Sequence, residues 1–126
     1  MDLDAIDHVV LTVRDIPASV AFYTRVLGMR EVIFGDDRRA LAFGRCKLNL
    51  HQAGREFEPK AAHPTPDAAD LCLLARTPIA DISRQLTAQG VAIEAGPVER
   101  TGAQGPLLSV YVHDPDGNLI ELSNPL

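Results

Sequence analysis

One supersecondary unit is written twice along this chain, and that repetition constrains the fold more than any single motif. From His8 the sequence reads as a strand, then Asp15-Ile16-Pro17, then a helical pattern through Val20, Tyr23 and Leu27 that stops at Gly28. From Asp70 it reads as a strand, then Thr77-Pro78, then the apolar positions Ile79, Ile82 and Leu86, stopping at Gly90. Asp15 fits an N-cap, Pro17 the first turn, and Gly28 the left-handed C-terminal position. The proline follows the strand-opening residue by nine positions in the first copy and eight in the second; glycine follows proline by eleven and twelve. Three short strands then follow each helix, at 29–34, 40–44 and 46–51, and at 92–98, 107–113 and 119–123. Gly35-Asp36-Asp37 and Asp114-Pro115-Asp116-Gly117 supply turns between them. The expected fold is α+β: two βαβββ modules, at about 3–53 and 69–124, forming a curved mixed sheet around a cavity. A proline-bearing connector at about 54–68 joins them. A loop of that length within a compact domain is often functional.

At 126 residues the chain fits one domain with a core of its own. Hydrophobic residues make up 46% and aromatic ones only 5%, so that core is aliphatic. No apolar run approaches a membrane span, and the start does not read as a signal peptide; a cytoplasmic location is expected. Ordered strand is expected almost from the start, at Leu3. Net charge −5 argues against nucleic-acid or anionic-membrane partners and leaves small molecules as the expected ligands. Cys46 and Cys72 lack metal-type spacing and read as buried small hydrophobes in a reducing compartment.

Strand side chains alternate between two faces. Val9, Leu11 and Val13, Leu48 and Leu50, and Ile120 and Leu122 define the faces expected under helices. The opposite faces carry His8 with Thr12, His51 with Asn49, and Glu121 with Ser123. Two imidazoles and a carboxylate among small polar groups need partners if buried, and one divalent cation would satisfy all three. His8, His51 and Glu121 are therefore the expected metal ligands, suited to Zn, Ni, Mn, Co or Fe. Asp70 is either a further site residue or the end of a loop. His63, in the connector, can fold over a cavity mouth. Tyr111 can direct its hydroxyl into the cavity, whereas Asp114–Gly117 reads as a structural turn and His113 as a surface residue. Arg55, Lys60 and Arg100, with Thr101 beside the last, are candidates for gripping an anionic substrate, against a plain reading as solvated charge.

Three segments together resemble the vicinal oxygen chelate superfamily of glyoxalase I, extradiol dioxygenases, fosfomycin-resistance and bleomycin-binding proteins. They are Asp7-His8-Val9-Val10-Leu11-Thr12-Val13, then Ala21-Phe22-Tyr23-Thr24-Arg25-Val26-Leu27-Gly28-Met29, and Asp114-Pro115-Asp116-Gly117-Asn118-Leu119-Ile120-Glu121-Leu122. Residues 55–64 and 96–103 are similar to the glyoxalase-domain branch labelled biphenyl-2,3-diol 1,2-dioxygenase III-related. The resemblance implies a divalent metal held by the first and last strand of each unit. His8, His51 and Glu121 match three such positions; at the fourth, often histidine in the family, stands Asp70. It also implies a homodimer.

The expected activity is that of a glyoxalase I-like lyase or isomerase acting on a small oxygen-chelating substrate. Glu121 would then be ligand and proton carrier, and Asp70 the second candidate base. Against it, His51 stands where glyoxalase I enzymes generally offer glutamate. One alternative is an extradiol-type dioxygenase using Fe(II) or Mn(II), with His63 or Tyr111 assisting proton transfer, although extradiol members are usually about twice as long. Another is a non-catalytic small-molecule-binding resistance protein, a reading weakened by retention of His8, His51 and Glu121.

Overall fold

The computed structural model describes residues 1–126 as two compact units, Met1–Asp67 and Ala68–Leu126. The first holds β1 (His8–Val13), α1 (Ile16–Arg25), β2 (Arg30–Phe34), β3 (Arg38–Phe43) and β4 (Cys46–Gln52), with the connector after them. The second holds β5 (Asp70–Leu74), α2 (Ile79–Ala88), β6 (Ala95–Gly102), β7 (Gly105–His113) and β8 (Leu119–Pro125). Each unit forms its own four-stranded sheet, ordered β1-β4-β3-β2 and β5-β8-β7-β6. In both, the opening strand lies at an edge and pairs in parallel with the closing strand, while the other pairings are antiparallel. That is the α+β strand–helix–three-strand unit, twice.

The apolar faces fall where alternation puts them. In the first unit Leu11, Val13, Leu48 and Leu50 are buried with Tyr23, Met29 and Leu41, and α1 packs against β2, β3 and β4. In the second, Ile79, Ile82 and Leu86 of α2 are buried together with Val110, Val112, Ile120 and Leu122. α1 ends before Gly28, which takes a φ of 71°, while the Met29 amide donates to the Tyr23 carbonyl. Neither helix is long and apolar enough to cross a membrane.

Neither Asp15 nor Pro78 caps its helix through a side chain. The closing strand does that work in both units. Gln52 of β4 accepts from the Ile16 amide at 3.3 Å and donates to the Arg14 carbonyl at 2.6 Å. Asn124 of β8 accepts from the Ile79 amide at 2.7 Å and donates to the Ala75 and Thr77 carbonyls at 2.9 Å. An amide side chain thus satisfies a helix N-terminus and the loop leading into it at once.

Three expectations shift. Strand structure begins at His8, not Leu3, because β4 starts at Cys46 and offers no partner before Lys47, which pairs with His8. The sixth strand runs 95–102 instead of 92–98. It leads into β7 through a hairpin in which Gly102 pairs with Gly105, and a register irregularity between Ala95 and Val98 accommodates Gly96 at φ 102°. Cys72 is exposed and Cys46 half-buried, against the expectation that both are core; Cys72 lies on the edge strand β5, on the face away from Leu71 and Leu73.

Candidate functional site

Strand register sorts the candidate residues within each unit. In the first, His8 pairs with Lys47, Val10 with Asn49 and Thr12 with His51, so all six share the face opposite the core. His8 and His51 are nevertheless four residues apart along the parallel pair, about 13 Å at 3.3 Å per residue. In the second unit Asp70 pairs with Leu119 and Cys72 with Glu121. Glu121 therefore lies two residues beyond the partner of Asp70. The same step beyond the partner of His8 reaches Asn49, and His51 lies one further same-face position along.

His8 is exposed, and its Nδ1 is 2.8 Å from the Asp7 carboxylate. A carboxylate on one ring nitrogen leaves the other free to bind, and metal-ligating histidines commonly carry such a partner. His51 is different. It is 4% exposed, packs edge-on against Phe57 with ring centroids 5.5 Å apart, and has Arg38 Nη2 at 3.5 Å from its Nε2. Guanidinium is only a donor, so Nε2 must be the accepting, unprotonated nitrogen. Burial first, and then Arg38, hold the imidazole below its ordinary value, against a weaker upward pull from Glu56. The His51 lone pair is thus directed at a cation already there.

Arg38 lies beside His51 because β3 and β4 run antiparallel, Arg39 pairing with Leu50. Its guanidinium sits 5.1 Å from the Phe34 ring centre and 4.5 Å from that of Phe57. Lys47 Nζ lies 3.9 Å from the Phe34 ring centre. Asn49 is 5% exposed, and its Oδ1 has no hydrogen-bond partner. A cavity of about 370 Å³ opens on this side, lined by Val10, Thr12, His51, Pro59, Lys60 and Pro64 among others. Lys60 is ion-paired with Glu58.

The second unit has a larger cavity, about 560 Å³, lined by Cys72, Leu74, Arg100, Thr101, Tyr111 and Glu121 together with the 102–107 hairpin and the last two residues. Glu121 and Tyr111 are directly opposed on β8 and β7. Arg100 Nε donates to the Tyr111 hydroxyl at 3.0 Å, and its guanidinium lies 5.5 Å from that ring. The Ser109 and Ser123 hydroxyls are 2.7 Å apart, and Ser123 Oγ donates to Glu121 Oε1 at 3.3 Å. Cys72 Sγ lies 3.3 Å from Ser123 Oγ. Cys72 is exposed as a residue, but desolvation at its sulfur raises the thiol above its ordinary value; Glu121 and Asp70 add to the rise while Ser123 opposes it. Cys72 thus forms part of the cavity wall, with its thiol disfavoured from ionising.

The structure thus gathers Glu121, Tyr111, Arg100 and Thr101 around one cavity, and His51 and Lys60 around another. Asp70, His63 and Arg55 are exposed and line neither cavity. His63 bonds only through its carbonyl, to Thr65 Oγ1 at 3.0 Å. No three His, Cys, Asp or Glu side chains form a cluster ready to hold a metal. Among the expected ligands, the His8 ring is hydrogen-bonded to the Asp7 carboxylate and the Glu121 carboxylate accepts from Ser123 Oγ. His51 has its donor nitrogen turned to Arg38. Sequence patterning missed Arg38 and Phe57 and placed Asn49 beside His51 without giving it a role; an arginine two residues from Ala40 on the same strand face was the available sign.

Comparison with known proteins gives one consistent answer. Residues 5–122 match the family model described as the Glyoxalase/Bleomycin resistance protein/Dioxygenase superfamily. The chain is 54% identical over 123 residues to virulence protein STM3117 of Salmonella typhimurium, covering 98% of this chain and 85% of that protein. The crystal structure of that protein superposes with a TM-score of 0.99 at 53% identity, covering all of both chains. A glyoxalase domain-containing protein, RDO1, of Mycosarcoma maydis is 52% identical over 124 residues, 98% of this chain and 70% of its own. More distant likeness, in fold alone, extends to a lactoylglutathione lyase from Agrobacterium tumefaciens (TM-score 0.76, 23% identity, covering 98% and 96%). It extends equally to TnmS3, an antibiotic binding protein from Streptomyces (TM-score 0.78, 21% identity, covering 100% and 99%).

Proposed function

The chain belongs to the glyoxalase, bleomycin resistance protein and dioxygenase superfamily, and from that membership we propose a divalent-metal-dependent lyase or isomerase of glyoxalase I-like type. Its substrate is a small molecule with two neighbouring oxygens. His8 and Glu121 are the proposed ligands, and the metal is Zn, Ni, Mn, Co or Fe. The observation that carries this reading is the wall of the larger cavity: a carboxylate directly across from a tyrosine that an arginine engages, with hydrophobic groups around them.

A bound cation would polarise the paired substrate oxygens and stabilise the oxyanion that develops. The residues of the chain do the rest. Glu121 takes a proton from the substrate and returns it, held in place by the Ser123 hydroxyl. Asp70, two residues from Cys72 on the same strand face, is the second proposed proton carrier. Arg100 and Tyr111, with Thr101 beside them, grip the anionic end of the substrate. Leu74, Leu107 and Pro125 supply apolar surface to the wall of that cavity. Arg55, Lys60 and His63 are proposed as outer contacts through the connector. The protein is proposed to work in the cytoplasm as a homodimer, which sedimentation equilibrium tests directly.

One observation favours a second reading. The polar groups of that cavity stand beside the apolar Leu74, Pro106, Leu107, Pro125 and Leu126, a mixed lining that also suits a protein that binds a small molecule without turnover. The deciding experiment has two arms. Protein isolated without chelators is expected to carry close to one divalent metal per chain, falling well below that in His8→Ala and in Glu121→Ala. The metal-loaded protein is expected to catalyse solvent deuterium exchange beside the carbonyl of small 2-oxo and 2-hydroxy carbonyl compounds, and Glu121→Gln to abolish it. Metal lost on His51→Ala alone would return His51 to the ligand set. Oxygen consumption with catechol and Fe(II) would move the assignment to the dioxygenase. Tight ligand binding with neither metal nor exchange would make it a binding protein.

A further inference from the structure

The cationic face of the first unit has no task in proton transfer, and we infer that it is a binding site for a small oxyanion that also carries a hydroxyl, with Arg38 as its anchor. Arg38 and Arg39 are neighbours in sequence with opposite situations. Arg39 is paired with Asp37 at 2.8 Å and with Glu31 at 3.7 Å. Arg38, half-buried on the other strand face, has no carboxylate partner; its contacts are the Phe34 and Phe57 rings and His51 Nε2. Two aromatic rings hold the guanidinium plane in place, so little freedom remains to be lost when an anion binds its free edge. Lys47, over Phe34, adds a second charge without an acidic partner.

Of the acids nearby, one is paired with a cation and the other is held by the backbone. Glu58 is on Lys60, and Glu56 accepts from the Gly54 amide at 3.0 Å. Asn49 supplies an independent sign. It pairs with Ala40, two residues from Arg38 on the same face, so the two side chains are diagonal neighbours about 7–8 Å apart at the backbone. Its carbonyl oxygen is buried without a donor, a costly state that a ligand hydroxyl would relieve. Anion at one end and hydroxyl at the other describes a protonated phosphate group or a 2-hydroxy carboxylate. The inference does not require the cation proposed above.

Inorganic phosphate, glycolate and acetate, with neutral acetamide as control, can be titrated into chelator-treated protein by heteronuclear NMR. Phosphate or glycolate is expected to bind saturably and to shift the Arg38 Nε–H and Asn49 Nδ2 signals. Arg38→Gln is expected to weaken binding about tenfold or more, since it removes a charge-assisted contact. Acetate, lacking a hydroxyl, is expected to bind more weakly than glycolate. The stronger of phosphate and glycolate identifies the source of the oxyanion. Retention of binding in Glu121→Gln would show that the site stands apart from the catalytic proposal. No saturation by either ligand up to about 50 mM, far weaker than ordinary metabolite binding, would overturn the inference. So would unchanged affinity in an Arg38→Gln protein whose backbone spectrum shows it folded.

Discussion

Arg38 and His51 form a contact whose charge state responds to pH in one direction. The folded protein holds the imidazole neutral below its ordinary value of 6.5, chiefly through burial and then through Arg38. Above 6.5 both folded and unfolded chains carry neutral histidine, and this group adds no pH dependence. Below it the unfolded chain takes up a proton that the folded one refuses, so stability falls with falling pH until the lowered folded value is reached. The slope from this single group is at most about 1.4 kcal/mol per pH unit. Urea unfolding between pH 7.5 and 5 is expected to show that decline, and His51→Gln to lessen it by up to that slope. An unchanged profile in the variant would remove His51 as its source. At this scale the sequence was a partial guide. Glu121 and Tyr111 are opposed across β8 and β7, an arrangement consistent with strand alternation, which is a local rule, whereas nothing local brings Arg100 and Thr101 to the same cavity. The employment of His51 by Arg38 was hidden, since it depends on which residue of β3 lands opposite β4 and on Phe57 folding back from the connector.

The helices show where local rules give out at the level of elements. Asp15 reads as an N-cap, yet the Ile16 amide is satisfied by Gln52, 36 residues later. Asn124 does the same for Ile79 across 45 residues. Strand, helix and turn positions were legible because apolar period and glycine placement are local; these staples were not, because only the parallel pairing of opening and closing strands delivers them. Asn124→Ala removes three hydrogen bonds at one junction and leaves the Ile79 amide without its partner. Its expected cost is about 1–3 kcal/mol, read as a lower urea midpoint with unchanged m-value. Gln52→Ala is expected to cost less, since its bond to the Ile16 amide is longer, at 3.3 Å. A loss confined to a few tenths of a kcal/mol in both variants would show that water satisfies these amides equally well. The register of β1 against β4 is the other long-range fact: it separates His8 from His51 although both occupy the polar face that sequence alternation assigned them.

For the molecule as a whole, each unit has its own helix, sheet and buried core, and domains of about 60 residues are marginally stable alone. A ligand that binds only the folded chain therefore has a large proportional effect. If His8 and Glu121 hold a divalent cation, adding it to chelator-stripped protein stabilises the native state by about 2.7 kcal/mol at one hundred times its Kd. For a chain of 126 residues that corresponds to a rise in Tm on the order of 10 °C. The rise should depend on metal concentration, and it should vanish in both His8→Gln and Glu121→Gln, which keep a polar side chain in each place. His51→Gln, by contrast, is expected to keep the metal-dependent rise, because its ring nitrogen faces Arg38. A differential scanning series over Zn, Ni, Mn, Co and Fe(II) under anaerobic conditions separates these outcomes. Equal shifts in the wild type and in both ligand variants would mean that the cation binds elsewhere, and the lyase assignment would lose its metal.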